Sequence, residues 1–238
     1  MSKQDYGLFF KIMQRIARFV LPKYRFERPP NQDEPIVYVA HHQNMIGPMS
    51  ILVWLKYSIR TWVLSEFTDQ EAAYQHYINF TFTKRYGWPR IFAKIVAYPA
   101  SYLVQWLTKS GRMIPVYRKS RNIIKTMSIT HEALLNGDDI LIFPDVDYSN
   151  QSTETSDIYE GFLHLEKKYV KETGKHLTFV PILSDKENKC VRVGRRIHFT
   201  GNRIFIDERK DIANEIRKEL NRLAMEDEIV YKSKLEIK

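Results

Sequence analysis

Cysteine is almost absent from the 238-residue chain: Cys190 stands alone, so no intrachain disulfide contributes to the fold. Long apolar runs are missing too. A spanning helix needs roughly 18 to 20 uninterrupted apolar residues, and the nearest approach, Ile91 to Leu107, contains Lys94 and Pro99 and reads equally well as a buried helix hairpin. The N-terminus lacks the pattern of a cleavable signal peptide. Together these absences point to the cytosolic side of a membrane and to a peripheral or monotopic attachment rather than a spanning one. No internal repeat and no low-complexity segment interrupts the chain, and no shift in composition divides it.

Acidic residues are in deficit, 28 Asp and Glu against 37 Lys and Arg, which leaves a formal charge of +9. That balance suits an anionic partner such as phospholipid, nucleic acid or a phosphorylated substrate, and does not choose among them. Hydrophobic residues at 44% and charged residues at 27% exclude general disorder and support one well-cored domain.

Between Tyr6 and Leu21, Phe9, Ile12, Met13, Ile16, Phe19 and Val20 recur at helical spacing, with Lys11, Gln14, Arg15 and Arg18 on the other side. Such a helix either packs on its own domain or lies in a lipid interface with its basic side chains reaching anionic headgroups. Aromatic residues then crowd the segment from Tyr74 to Trp106, fitting a core, a shallow membrane contact or an acyl-chain groove.

Strands are expected over Ile36–Ala40, Thr61–Leu64, Met113–Tyr117, Ile140–Phe143, Phe179–Leu183 and Val191–Phe199. Helices are expected over Met49–Tyr57, Ile123–Leu135, Gly161–Val170 and Asp211–Met225. This alternation predicts an α/β fold with a mostly parallel central sheet flanked by helices, whose functional groups gather where strands end. Residues 1–30 form the amphipathic, membrane-associating segment and 31–238 the α/β unit, one structural domain in all.

Four short blocks fall at or near those strand ends. Val39-Ala40-His41-His42-Gln43-Asn44 resembles the Asn-His-x-Ser opening of the PlsC-like lysophosphatidic acid, or glycerolipid, acyltransferases. Gly111 to Arg118 resembles their second block, Phe143-Pro144-Asp145 the Phe-Pro-Glu of the third, and Phe179-Val180-Pro181-Ile182 is similar to the fourth. The resemblance spans about residues 35 to 205. It implies acyl transfer to a lipid hydroxyl from acyl-CoA, acyl carrier protein or acyl phosphate as co-substrate, with no permanently bound cofactor and no metal.

By that resemblance His42 is the general base, and His41 is the alternative if the loop differs. Asn44 belongs to the same candidate catalytic cluster, while Arg118, Lys119, Arg121, Asp145 and Asp147 are candidates for binding substrate or phosphate. Two departures stand out: Gly47 occupies the position of the family's aspartate, and Val146-Asp147-Tyr148-Ser149 replaces Gly-Thr-Arg-Ser. Asn44, Glu66, Asp145, Asp147 or a backbone carbonyl are therefore candidates to orient the imidazole. Loss of the third-block arginine makes a glycolipid or another lipid alcohol plausible as acceptor. The partners implied are anionic membrane lipids and an acyl donor. A nucleic-acid-binding domain would account for the charge and the aromatics but not for the ordered blocks; a non-catalytic lipid-binding relative would account for Gly47.

Overall fold

A computed structural model describes residues 5–27, 34–43, 45–118, 120–146, 155 and 157–236, with side chains described as far as Met225. Asn44, Lys119 and Asp147 lie outside the described residues. The strands are β1 (Arg25–Phe26), β2 (Ile36–Ala40), β3 (Arg60–Leu64), β4 (Ile114–Val116), β5 (Ile140–Ile142), β6 (Thr178–Asp185) and β7 (Cys190–Val193). They form one sheet in the order β1-β7-β6-β2-β5-β3-β4, parallel throughout except for the β6–β7 hairpin.

Side-chain alternation along β2 divides the interior in two. Val37 and Val39 join Ile140, Ile142 and Phe179 beneath α5 (Ile123–Leu135), α6 (His164–Thr173) and α7 (Phe205–Glu236). Ile36, Tyr38 and Ala40 join Leu141, Val180 and Ile182 beneath α1 (Leu8–Val20) and α2 (Ile46–Trp54). The α7 stripe Ile212, Ile216, Leu220 and Leu223 is buried, as its spacing predicts.

The helix α1 is turned the opposite way from a soluble surface helix. Tyr6 and Phe10 are buried, and Gln14 and Arg18 follow them at four-residue spacing. The amide of Gln14 donates to the Leu52 carbonyl at 2.8 Å, and Arg18 donates to the carbonyls of Val53 and Leu55 at 2.7 and 3.1 Å. These contacts satisfy carbonyls at the C-terminal end of α2 that the helix itself leaves without partners. Arg18, one of the basic residues that the interfacial reading sends to headgroups, is thus bound to the protein, as is Gln14. Leu8, Ile12, Ile16, Phe19 and Val20 face outward instead, with Phe19 96% exposed.

The apolar stretch for which a buried hairpin was one reading is a single, largely exposed helix, α4 (Arg90–Ser110), which accommodates Pro99 within it. Small residues, Ala93, Ala97, Ser101 and Thr108, fill its inner side, while Ile91, Phe92, Ile95, Tyr98, Tyr102 and Trp106 are exposed. Small side chains allow close approach to α3 (Gln70–His76) and to the π-helical segment Tyr77–Arg85 that follows it. The large apolar side chains are left on the outside. Phe9 meets Trp106 edge to face at 5.6 Å, so the apolar faces of α1 and α4 are continuous. Among the described residues no helix is long and apolar enough to cross a membrane.

Two further expectations are corrected. The strand expected over Val191–Phe199 ends at Val193, and only an isolated bridge from Ile197 to Phe179 resumes sheet pairing. The last helix begins at Phe205, six residues before the expected Asp211.

Candidate functional site

Adjacent parallel strands end at one edge of the sheet, where β2 delivers His41 and His42, β5 delivers Asp145, β3 leads to Glu66, and β4 leads to Arg118. Functional groups collect at this edge because the loops leaving parallel strands diverge there. Asp145 lies 4% exposed and hydrogen-bonds with both oxygens. One accepts from Nδ1 of His41, itself 1% exposed, and the other accepts from the backbone N–H of His42 at 2.8 Å. An ionised carboxylate only accepts, so His41 carries its proton on Nδ1 in this pair. Asp145 therefore ties the end of β5 to the loop after β2.

His42 is partly exposed, its ring edge-on to Phe143 at 5.4 Å. Burial pushes its pKa down to about 4 despite the opposing pull of Asp145, with Arg85, His41 and Arg118 adding to the depression. Near neutral pH the ring is uncharged and able to accept a proton. Arg118 is held below the usual arginine value by desolvation, against the attraction of Asp145 and Glu66. Arg85, at the end of the π-helical segment, reaches the same field although nothing in the local sequence distinguishes it from a surface charge.

The loop between His42 and α2 is tight. Gln43 takes a left-handed φ of 45°, and its side-chain Nε2 is buried without a hydrogen-bond partner among the described residues. Gly47 donates its N–H to the His42 carbonyl at 3.2 Å. A Cβ at position 47 would stand 2.4 Å from the His41 carbonyl oxygen and 2.9 Å from that of His42. The backbone itself fills the space from which an aspartate would extend, so its absence is a property of the loop's path and not of one side chain.

His41, His42, Asp145 and Arg118 are thus gathered around one strand-end edge, whereas Arg121 is exposed beside the start of α5. The sequence offered Asp145 as one of several orienting carboxylates; the sheet order selects its contact with His41. Among the described residues no group of three or more His, Cys, Asp or Glu side chains is arranged to hold a metal ion.

No protein-family model matches the chain, and no curated protein matches it. Among solved structures, it is similar to the crystal structure of the 1-acyl-sn-glycerophosphate (LPA) acyltransferase PlsC from Thermotoga maritima. The TM-score is 0.53 over 90% of this chain and 78% of that one, at 12% identity. The likeness is one of fold, and this chain has the fold of a PlsC acyltransferase.

Proposed function

We propose that this protein is an O-acyltransferase of the membrane surface, with His42 as general base. The observation that carries the reading is the environment of His42: an uncharged, partly exposed imidazole at a strand end, anchored through its own backbone by Asp145, with Arg85 and Arg118 in its electrostatic field. His42 takes the proton of an acceptor hydroxyl as the hydroxyl oxygen attacks the acyl carbonyl. Collapse of the tetrahedral adduct breaks the bond to the thiol or phosphate leaving group, which recovers the proton. Arg85 and Arg118 attract the phosphates of the donor. His41 is too buried to meet substrate, so its role is to hold Asp145, and through it the loop, in position.

The outward apolar faces of α1 and α4 supply the membrane contact. Large aromatic and aliphatic side chains presented outward from small-residue packing surfaces are costly in water and favourable at a lipid interface. Arg15, Arg90 and Lys94 are exposed on these two helices and suit anionic headgroups. Because α4 packs on the π-helical segment that ends at Arg85, the apolar face and the basic edge of the site are parts of one assembly.

Gly47 favours a second reading, a lipid-binding relative without turnover, because the loop's path excludes the carboxylate that partners this histidine in the resembled family. Labelled acyl donors offered with mixed-lipid vesicles separate the two. The enzyme acylates lipid and loses that activity in His42→Ala, whereas the non-catalytic relative binds vesicles and consumes no donor.

A further inference from the structure

A groove of about 620 Å³ opens on the α5 side of the sheet, outside the His42 site. Trp62, Met127 and Tyr159 form its apolar walls, and Glu160, His164 and Arg209 converge at its other end. It shares a wall with the catalytic edge: Ile158 bridges Asp145, and the Tyr159 N–H donates to the Pro144 carbonyl at 2.7 Å.

We propose that this groove binds the neutral polyhydroxyl headgroup, a sugar or polyol, of the acceptor lipid. The identification of the occupant as the acceptor rests on the acyltransferase reading; the binding of a sugar does not.

Three features select this chemistry. Arg209 pairs with Glu160 at 3.4 Å and donates to Nε2 of His164 at 2.7 Å, so cation and carboxylate offset each other. Burial, with Arg209 and Lys167 nearby, lowers the His164 pKa and keeps the ring neutral. A phosphate dianion would therefore find Arg209 already engaged and would face the Glu160 carboxylate, with only Lys167 nearby to offset that repulsion. A hydrocarbon chain would leave the polar end worse off, because the buried Nε of Arg209 makes only the long 3.4 Å ion-pair contact with Glu160 and no hydrogen bond. Hydroxyls both donate and accept, so a sugar satisfies Arg209 and Glu160 together while its apolar face lies against Trp62 or Tyr159.

Saturation-transfer NMR of the full chain with methyl β-glucoside, glycerol and inorganic phosphate tests the assignment without requiring turnover. Saturable transfer to the glucoside or to glycerol is expected, undisturbed by equimolar phosphate. It should weaken about tenfold or more in Glu160→Gln and Arg209→Gln, in keeping with loss of a hydrogen bond to a charged group, and persist in His42→Ala. Tyr159→Ala, which removes an exposed ring, supplies a second variant if Arg209→Gln does not fold. Absence of saturable binding, equal binding in all folded variants, or displacement by phosphate would each overturn the proposal. Sugar binding without acylation of any lipid would count against the acyltransferase reading alone.

Discussion

The imidazole of His41 and the carboxylate of Asp145 form a buried pair that joins the C-terminal ends of neighbouring strands β2 and β5. The second carboxylate oxygen holds the backbone of His42 at 2.8 Å, so one side chain fixes the loop that carries the proposed base. Replacing Asp145 with Asn leaves the shape and removes the charge. The expected cost is about 3 kcal/mol of folding stability, typical of breaking a buried charged contact, measured as a lower urea midpoint. Acyl transfer should fall with it, while vesicle binding through α1 and α4 is retained.

Restoring an aspartate at position 47 should not repair the site. The new Cβ would collide with two main-chain carbonyls, so Gly47→Asp and Gly47→Ala both displace the start of α2 or the His41–His42 backbone. Each is expected to destabilise by about 1 to 3 kcal/mol. Neither should raise turnover. Equal or greater stability of Gly47→Ala in urea unfolding would show that the loop relaxes freely.

His42 makes stability depend on pH with a definite sign. Its folded pKa, about 4, lies below the ordinary histidine value near 6.5. Above about pH 6.5 the ring is neutral in both states and the slope is zero. Between about 6.5 and 4 the unfolded chain binds a proton that the folded site refuses, so stability falls as pH falls; below about 4 that contribution is exhausted. Urea midpoints measured from pH 7 down to 4.5 should decline less steeply in His42→Asn. The same depression predicts that the acidic limb of kcat/KM, which reports the free enzyme, lies well below pH 6.5.

The fold was more legible than the site. Apolar runs predict β2, β3 and β5, and helical spacing predicts α5, because a buried strand reads as a short apolar run and a helix as a regular stripe. The α5 bounds, Ile123–Leu135, coincide with those expected. The two-residue β1 and the π-helical segment carry no such period. Orientation was hidden as well: spacing shows that α1 has two faces but not that its polar one binds α2. Asp145 was a candidate partner for the histidines, yet 104 residues separate it from His41 and only the strand order brings them together. Arg85 went unnoticed for the same reason, since its charge matters through tertiary position.

The outward faces of α1 and α4 predict separable effects on binding and folding. Phe19→Ser and Ile95→Ser alter exposed side chains, so stability should change by no more than about 0.5 kcal/mol. Partition onto anionic vesicles should weaken about tenfold for each, the scale of withdrawing one large apolar side chain from lipid. Binding should also weaken with added salt as headgroup attraction is screened. Vesicle cosedimentation measures both, and unchanged partition in the double variant would remove these faces from the interface.

The most direct test of the central claim is transfer of a labelled acyl chain from acyl-CoA, acyl carrier protein or acyl phosphate to mixed membrane lipids by wild type, His42→Ala and His41→Ala. The account predicts lipid acylation by wild type, its abolition in His42→Ala with vesicle binding intact, and only partial loss in folded His41→Ala. No acylation from any donor beside intact vesicle binding, or full activity in His42→Ala, would contradict it.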